Sequence, residues 1–378
     1  MPPSFSEALD FLHVTKFLYE PGANIAITRH TPPEPFWLGR SHYPAYTGEL
    51  LTAQSVTLAE HLFKYHPQER PGVRPSQKDT TTTQHVLTIV KTISKSGKWG
   101  SQVVLCDIHP ALTVGSRQVT EVVAKIYDAL HYCANDETGT PVLFADKFYR
   151  REAAAYEELC KANLTGDLAP EYYGSWTFSR CVKWSGKTAD RPVRLILMEY
   201  VNGISVEDLM REEDLAVGNA SHDLEEYKLN VMKHLLEGLV RQLHKRINQA
   251  ALEPRHVMLV RLPAQEPMTR LASRPVLLDY TMAVLPGRIP AYATKLAGKP
   301  KKPTNPMQQY WNASFYGLRD WMIWEDSERQ AWLRQTFEPK DNQDENWPYE
   351  PVDMEKLLSN EGDETDEGDE TDEGDETK

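Results

Sequence analysis

The chain has 378 residues, 40% of them hydrophobic, so it is long enough to bury two or three cores. Its formal net charge is −13, but residues 361–378 hold eleven acidic residues and one lysine. The tail therefore carries −10 and the rest of the chain only −3. A nearly neutral body offers no large basic face, and we expect no nucleic-acid partner.

The sequence contains no targeting or membrane signal that we recognise. The N-terminus lacks a basic segment followed by an apolar run, and no apolar stretch reaches 18 residues. The four cysteines have no C-x-x-C spacing, which is typical of reduced thiols. We expect an intracellular protein, cytoplasmic or nuclear, that does not act at a membrane.

The two ends of the chain differ from its middle. Residues 1–84 are predicted to be an N-terminal extension and linker, because 67–84 are rich in proline, charge and threonine. Residues 351–378 are predicted to be a disordered acidic tail, since the repeated D-E-G-D-E-T cannot bury apolar surface. No function is assigned to residues 1–66.

Residues 85–200 alternate between strand and helix patterns. Two β-branched runs at 85–94 and 101–108 flank a glycine-containing turn and predict a hairpin, and 120–132 predict a third strand. Apolar residues at helical spacing predict a helix over 146–163, and 191–203 read as a further strand. This stretch predicts a small β-rich lobe.

Residues 201–350 are mainly helical in pattern. A helix of five to six turns is predicted over 225–246, followed by a hairpin from 256–262 and 274–280 and a tryptophan-rich helical segment over 305–337. The fold class we predict is α+β, with a small β-rich N-lobe at 85–200 and a larger helical C-lobe at 201–350.

Several short segments together resemble divergent protein-kinase-like domains of the type common in fungal proteomes. Lys125 lies in the strand "VVAKIY", Glu152 in the next helix, and Asp279 in "LLDYTMA". "LILMEYVNG" resembles a hinge strand, and "NPMQQYW" with the later tryptophans resembles the C-terminal helices of these domains. The resemblance covers residues 85–349 and implies a bilobal fold.

The resemblance assigns roles to the matching residues. It implies that Lys125 contacts the phosphates of ATP, that Glu152 holds this lysine and that Asp279 binds a metal ion. The expected adenine hinge is Met198, Glu199 and Tyr200. The expected phosphate loop contains Gly97 and Gly100, although Lys95 replaces its first glycine and Trp99 is bulky for such a loop.

The segment "LHKRINQAALEPRHVMLV" resembles a catalytic loop that lacks its reactive residues. Aligned on its L-x-P-R scaffold, Gln249 occupies the position of the loop histidine, Ala251 that of the catalytic aspartate and His256 that of the metal-binding asparagine. No residue is predicted to be catalytic, because an alanine methyl cannot orient a substrate hydroxyl. Imidazole is a poor ligand for Mg²⁺, so binding of Mg²⁺ or Mn²⁺ at Asp279 and His256 is expected to be weakened.

The sequence therefore favours a pseudokinase that binds a protein partner and ATP, with impaired phosphotransfer. One alternative is an active atypical protein kinase or small-molecule phosphotransferase with a rearranged loop. Glu253, two residues after Ala251, is a weak candidate for a substitute base, because the intervening backbone points its side chain elsewhere. A second alternative is an interaction module without any ligand, which the weak glycine pattern favours. The identity of the partner, the oligomeric state and the role of the tail are left open by the sequence.

Overall fold

A computed structural model describes residues 19–35, 62, 84–95, 100–132, 141–215, 222–261, 273–288, 300–312, 318, 321–322, 325–341 and 345–359. Three predicted features lie outside these residues: Gly97 of the phosphate loop, the acidic repeat at 361–378, and nearly all of the linker at 67–84.

A closed barrel of six antiparallel strands occupies the N-terminal half of the described chain. The strands follow one another around the barrel in the order β1-β2-β3-β4-β6-β5. Their bounds are β1 (Asn24–Arg29), β2 (His85–Lys95), β3 (Gln102–Val114), β4 (Arg117–Tyr127), β5 (Tyr172–Trp184) and β6 (Lys187–Met198). The predicted hairpin is confirmed, because β2 pairs with β3 from Val86↔His109 to Lys95↔Gln102.

The barrel has two strands that the sequence patterns did not predict, β1 and β5. They pair with each other at Thr28↔Thr177 and Arg29↔Trp176 and so close the sheet. The sequence places β1 in the N-terminal extension, but its Ile25 and Ile27 are buried in the barrel core. β5 forms a hairpin with β6 through Ser185 and Gly186, both with positive φ.

The β-strand period divides the buried residues of the barrel between two cores. Alternate side chains of a strand point to opposite faces, so every second residue of β4 faces the barrel interior. The residues between them face outward and pack with a helix in a second core. On β4 the interior set is Val122, Ala124 and Ile126, and the outward set is Val123, Lys125 and Tyr127.

The rest of the described chain is mainly helical. The helices are α1 (Pro141–Lys161), α2 (Val206–Leu215), α3 (His222–His244), α4 (Pro306–Tyr310), α5 (Asp326–Phe337) and α6 (Met354–Ser359). A second sheet has the order β7-β8-β9, with β7 (Ile204–Ser205), β8 (Val257–Arg261) and β9 (Ser273–Leu277). The mixed α+β content, the long helix α3 and the β8–β9 hairpin are as predicted.

Helix α6 lies within residues that the sequence assigns to the acidic tail. Val352 and Leu357 are buried in the second core, so apolar contacts stabilise this segment. The tail repeat itself starts only at residue 361. None of the helices in the described part of the chain has the length and apolar character needed to cross a bilayer.

Candidate functional site

Lys125 joins two carboxylates that come from distant parts of the chain. Its Nζ lies 2.7 Å from Glu152 Oε2 on α1 and 3.1 Å from Asp279 Oδ1, just after β9. The side chain of Lys125 is 8% exposed and that of Glu152 is fully buried, whereas Asp279 is 28% exposed. The structure thus brings together three residues that are predicted separately from three local patterns.

The ion pair is buried, and neighbouring charges and hydrogen-bond donors offset the cost of that burial. Burial alone would lower the pKa of Lys125, but Asp279 and Glu152 raise it above its ordinary value. Tyr127 donates its hydroxyl proton to Glu152 Oε2, and the backbone N–H of Tyr280 donates to Oε1 at 3.3 Å. Glu152 is therefore held by three donors, which offset the cost of removing it from water.

Asp279 has a left-handed backbone, with φ of +61°. Aspartate tolerates this conformation better than most residues because its short side chain can bond nearby backbone groups. Here Oδ1 accepts a hydrogen bond from the N–H of Thr281 at 3.0 Å and another from the Thr281 hydroxyl. Burial would raise the pKa of Asp279, but Lys125, Thr281 and His256 hold it well below its usual range, so the group is a carboxylate.

Gln249 fixes the shape of the loop that resembles a catalytic loop. Its side-chain Nε2 donates to the carbonyl of Ala251 at 2.9 Å and to the carbonyl of Asp279 at 2.8 Å. Its Oε1 accepts from the N–H of Ala251 at 2.8 Å. Gln249 is 2% exposed, and the intervening Ala250 has a φ of +60°. An amide side chain therefore bonds the loop to the backbone of the residue that pairs with Lys125.

His256 lies close to the carboxylate of Asp279. Its Nε2 is 3.5 Å from Asp279 Oδ2, and its Nδ1 is 3.2 Å from the carbonyl oxygen of Ala251. The ring belongs to the short 3₁₀ turn Pro254–His256, which leads into β8. Glu253, the suggested substitute base, is paired with Arg255 at 2.6 Å on the exposed side of this turn.

Three tyrosines pack in line behind the site. Tyr156 of α1 stacks on Tyr172 at 5.2 Å between ring centroids and makes an edge contact with Tyr280 at 5.4 Å. The Tyr280 hydroxyl accepts a hydrogen bond from Gln242 of α3 at 2.8 Å. Contacts of this kind add about 0.5–1.5 kcal/mol per aromatic pair to the free energy of burial. They connect the barrel, α1 and α3 behind Glu152 and Asp279.

Two arginines join α1 to the segment that follows Asp279. Arg151, next to Glu152, donates to the carbonyl of Thr281 at 3.4 Å. Arg288 lies 2.9 Å from Glu157 and 2.8 Å from Glu158, both near the C-terminal end of α1. These contacts hold the helix that carries Glu152 against the segment that carries Asp279.

The predicted hinge residues lie where β6 leaves the barrel. Met198 is buried, and its sulfur accepts a hydrogen bond from the Tyr156 hydroxyl at 3.7 Å. The backbone N–H of Glu199 donates to the carbonyl of Glu171 at 2.9 Å. The Tyr200 hydroxyl lies 3.0 Å from Nζ of Lys91 on β2, so the connector is attached to the opposite side of the barrel.

Gly100 is the predicted phosphate-loop residue that the structure describes. Its φ of +133° is a conformation that L side chains rarely adopt, which explains the glycine. Its N–H donates to the carbonyl of His131 at 2.7 Å, so this donor is already satisfied within the protein.

Sequence reasoning missed the supporting roles of three residues of the site. Tyr127 lies two positions after Lys125, and the period of two along a strand could have placed both on one face. The hydroxyl of Thr281, two residues after Asp279, is suited to bond an aspartate in a turn. The structural role of Gln249 has no local signal, because its partners are backbone groups of a segment about thirty residues away.

No family model matches the sequence, and no curated protein matches it. Among solved structures, two double mutants of the Mycobacterium tuberculosis PknI kinase domain are similar to it. The first has 18% identity and a TM-score of 0.32 and covers 52% of this chain and 61% of its own. The second has 17% identity and a TM-score of 0.32 and covers 66% and 72%. The chain thus spans about three fifths of the first structure, and the assignment of function rests on the geometry of the site.

Proposed function

We propose that this protein is a divergent protein-kinase-like domain with a bilobal arrangement, which binds ATP but transfers its phosphoryl group poorly. As a pseudokinase, it acts by binding a protein partner. The observation that carries the proposal is the buried contact of Lys125 with both Glu152 and Asp279.

The nucleotide part of the proposal follows from the charges at this contact. Binding of a triphosphate requires a fixed cation at the phosphates and a carboxylate to hold that cation in place. Lys125 and Glu152 supply these groups from a rigid strand and a rigid helix, with the nitrogen and oxygen 2.7 Å apart. Asp279 is the more exposed of the two carboxylates, since its side chain is 28% exposed and that of Glu152 is fully buried.

The impaired transfer follows from the composition of the loop. An aspartate that orients the attacking hydroxyl is worth about 10²–10⁴-fold in rate, and Ala251 has no group that could replace it. Glu253 is already paired with Arg255, which disfavours the alternative of an active atypical kinase or small-molecule phosphotransferase. With His256 in place of an amide or carboxylate, binding of Mg²⁺ or Mn²⁺ is weakened as well.

A thermal-shift titration tests the proposal. The full chain is titrated with ATP and with ADP, with and without Mg²⁺ or Mn²⁺, and Lys125→Ala is compared with Lys187→Ala. Lys187 is an exposed lysine of β6 and is the matched control. At a ligand concentration of 100 times Kd, binding stabilises a protein by about 2.7 kcal/mol. We expect the wild type and Lys187→Ala to be stabilised and Lys125→Ala to lose the effect, each measured against its own ligand-free melting temperature.

Two other results would decide for an alternative. If no nucleotide changes the melting temperature of the wild type or of the control, the protein is an interaction module without a ligand. If transfer of phosphate to a protein or small molecule is measured and disappears in Lys125→Ala, the protein is an active kinase and the pseudokinase assignment is wrong.

A further inference from the structure

The N-terminal extension, to which the sequence assigns no function, contacts the middle of helix α1. His30 Nε2 lies 3.0 Å from the hydroxyl of Tyr149, and the two rings are stacked with their centroids 5.8 Å apart. The backbone carbonyl of Glu34 accepts a hydrogen bond from Arg150 at 3.4 Å. His30, Tyr149 and Arg150 are all buried. The extension therefore does more than supply strand β1 to the barrel.

Leu62 gives the extension a further contact at the start of α1. It is the residue that the structure describes between positions 36 and 83, and it is 1% exposed. Its side chain belongs to the same core as α1 and lines a cavity together with Val142 and Ala145 from the first turns of that helix. Leu62 thus joins the extension to the beginning of α1 by an apolar contact.

Two buried ion pairs lie at the walls of the same cavity. Arg194 of β6 lies 2.6 Å from Asp146 of α1, and Arg191 of β6 lies 2.7 Å from Asp128, which follows β4. Tyr19 of the extension donates a hydrogen bond to Asp128 at 2.6 Å. The side chains of both pairs are at most 7% exposed. The first turns of α1 are therefore fixed by charge to β6 and by an apolar contact to the extension.

These contacts lead to Glu152 through two tyrosines. Tyr149, which meets His30, makes an edge contact with Tyr127 at 5.5 Å between ring centroids. Tyr127 also lines the cavity, and it donates its hydroxyl proton to Glu152. Tyr149 and Glu152 both belong to α1, whereas Lys125 belongs to β4. A shift of α1 away from the extension would therefore move Glu152 relative to Lys125.

From these contacts we infer that the N-terminal extension is a brace that positions helix α1, with Leu62 as its anchor. The brace keeps Glu152 paired with Lys125 and so keeps the proposed nucleotide site assembled. Leu62 acts through Tyr127 and α1, which makes it a positioning residue. The inference rests on the proposed nucleotide binding for its effect on ADP, but the effect on α1 can be measured without any ligand. The residues of the brace are Tyr19, His30, Glu34 and Leu62.

Hydrogen exchange of the full chain without nucleotide measures the effect on α1. Leu62→Ala removes most of the anchoring side chain, so the amides of residues 141–161 should exchange faster relative to those of 326–337 on α5. Leu333→Ala is the matched control, because Leu333 is equally buried but lies on α5, which packs against α4. It should not raise the exchange of 141–161 above that of 326–337, since global unfolding accelerates both segments alike whereas local opening does not.

Calorimetry with ADP measures the effect on the nucleotide site. Leu62→Ala should weaken ADP binding by about fivefold or more, the lower end of typical coupling between two sites, whereas Leu333→Ala should bind ADP as the wild type does. Leu62→Met nearly conserves the volume of the side chain and should restore both the affinity and the slow exchange. If an alanine variant does not fold, Leu62→Val and Leu333→Val replace the pair, and Leu62→Val should show a smaller effect in the same direction.

The possible results distinguish this inference from the proposed function. If ADP binds to the wild type but the two leucine positions affect ADP binding equally, the brace is wrong and the nucleotide site stands. Faster exchange of α1 in Leu62→Ala with unchanged ADP affinity also overturns the inference, because Glu152 is then not positioned from the extension. If ADP does not bind to the wild type, the proposed function fails, and hydrogen exchange decides alone: acceleration confined to 141–161 supports the brace, and equal acceleration in both segments overturns it.

Discussion

The two sides of the candidate site keep their shape by different means. On the barrel side, Lys125 and Glu152 form a buried ion pair between β4 and α1. On the loop side, Gln249 forms neutral hydrogen bonds to the backbone of Ala251 and Asp279. The barrel side thus has the charges that the proposed phosphate site needs, and the loop side has an alanine, Ala251, where the resemblance to kinases expects an aspartate.

The difference shows which features of such a site depend on each other. A buried charge cannot lose its partner without a large cost, so Lys125 and Glu152 must change together or not at all. The partly exposed Ala251 is under no such constraint, because an aspartate there would be in contact with water. Asp279 belongs to both sides, since its carboxylate pairs with Lys125 and its carbonyl accepts from Gln249. Its position can therefore be maintained without a catalytic aspartate.

The largest effect is expected from breaking the barrel side. Lys125→Ala leaves Glu152 fully buried without its cation, and removal of one partner of a buried ion pair costs about 3–5 kcal/mol. Urea denaturation followed by circular dichroism should show this loss in the free energy of unfolding. The control Lys187→Ala should change it by less than about 0.5 kcal/mol, as is usual for exposed positions. An equal loss in both variants would mean that the ion pair has no special role.

A smaller effect is expected from breaking the loop side. Gln249→Ala removes the partner of the Ala251 N–H and of the Asp279 carbonyl, and a buried polar group left unsatisfied costs about 1–3 kcal/mol. Gln249→His is the matched variant, because its ring can donate to one of these carbonyls and should recover part of the loss. Chemical denaturation measures the stability, and calorimetry with ADP measures whether Asp279 is still positioned. Unchanged stability in Gln249→Ala would show that the amide is not what holds the loop.

The contact between α1 and the segment after Asp279 offers a third test. Arg288 is 16% exposed and bonds Glu157 and Glu158, so Arg288→Ala should cost about 1 kcal/mol, reduced by solvent screening at the half-buried glutamates. It should also weaken ADP binding, because α1 carries Glu152. Arg211→Ala removes an exposed arginine with acidic neighbours on α2 and should have almost no effect. If the two variants are equally harmless, Arg288 does not position the helix.

The main elements of the fold could be predicted from the sequence where a single period dominates. Strands β2, β3, β4 and β6 and helices α1 and α3 have long apolar patterns, and the structure confirms them. The glycine and prolines around β1 hide its strand pattern. Its main partner across the closure of the barrel, β5, lies about 150 residues away, so no local signal reveals the pairing. β5 had a usable signal in its alternating aromatic residues and the Ser185-Gly186 turn before β6.

The candidate site also has a part that could be predicted from the sequence and a part that could not. Lys125, Glu152 and Asp279 could be found in the sequence because each lies in a recognisable segment, and the structure places them in contact. The bonds of Gln249 and the 3.5 Å between His256 and Asp279 could not be found, since they depend on how β8, β9 and the loop pack. Comparison of Gln249, Ala251 and His256 with the residues that the resemblance expects shows which chemical groups are lost. It does not show which new contacts the replacement makes.

The smallest effect is expected from restoring the missing aspartate. Ala251→Asp places a carboxylate at a partly exposed position, so the free energy of unfolding should change by less than about 0.5 kcal/mol. In a complete site this group would be worth about 10²–10⁴-fold in rate, but phosphotransfer should stay undetectable here. The reason is that the deficit is distributed: Gln249 uses its amide on the loop backbone, and His256 lies beside Asp279 where the resemblance to kinases expects a metal-binding asparagine. Turnover of ATP is measured for Ala251→Asp alone and for Ala251→Asp combined with His256→Asn. Activity in the double variant only would assign the remaining deficit to the cation, whereas activity in the single variant would show that the loop lacked nothing but its aspartate.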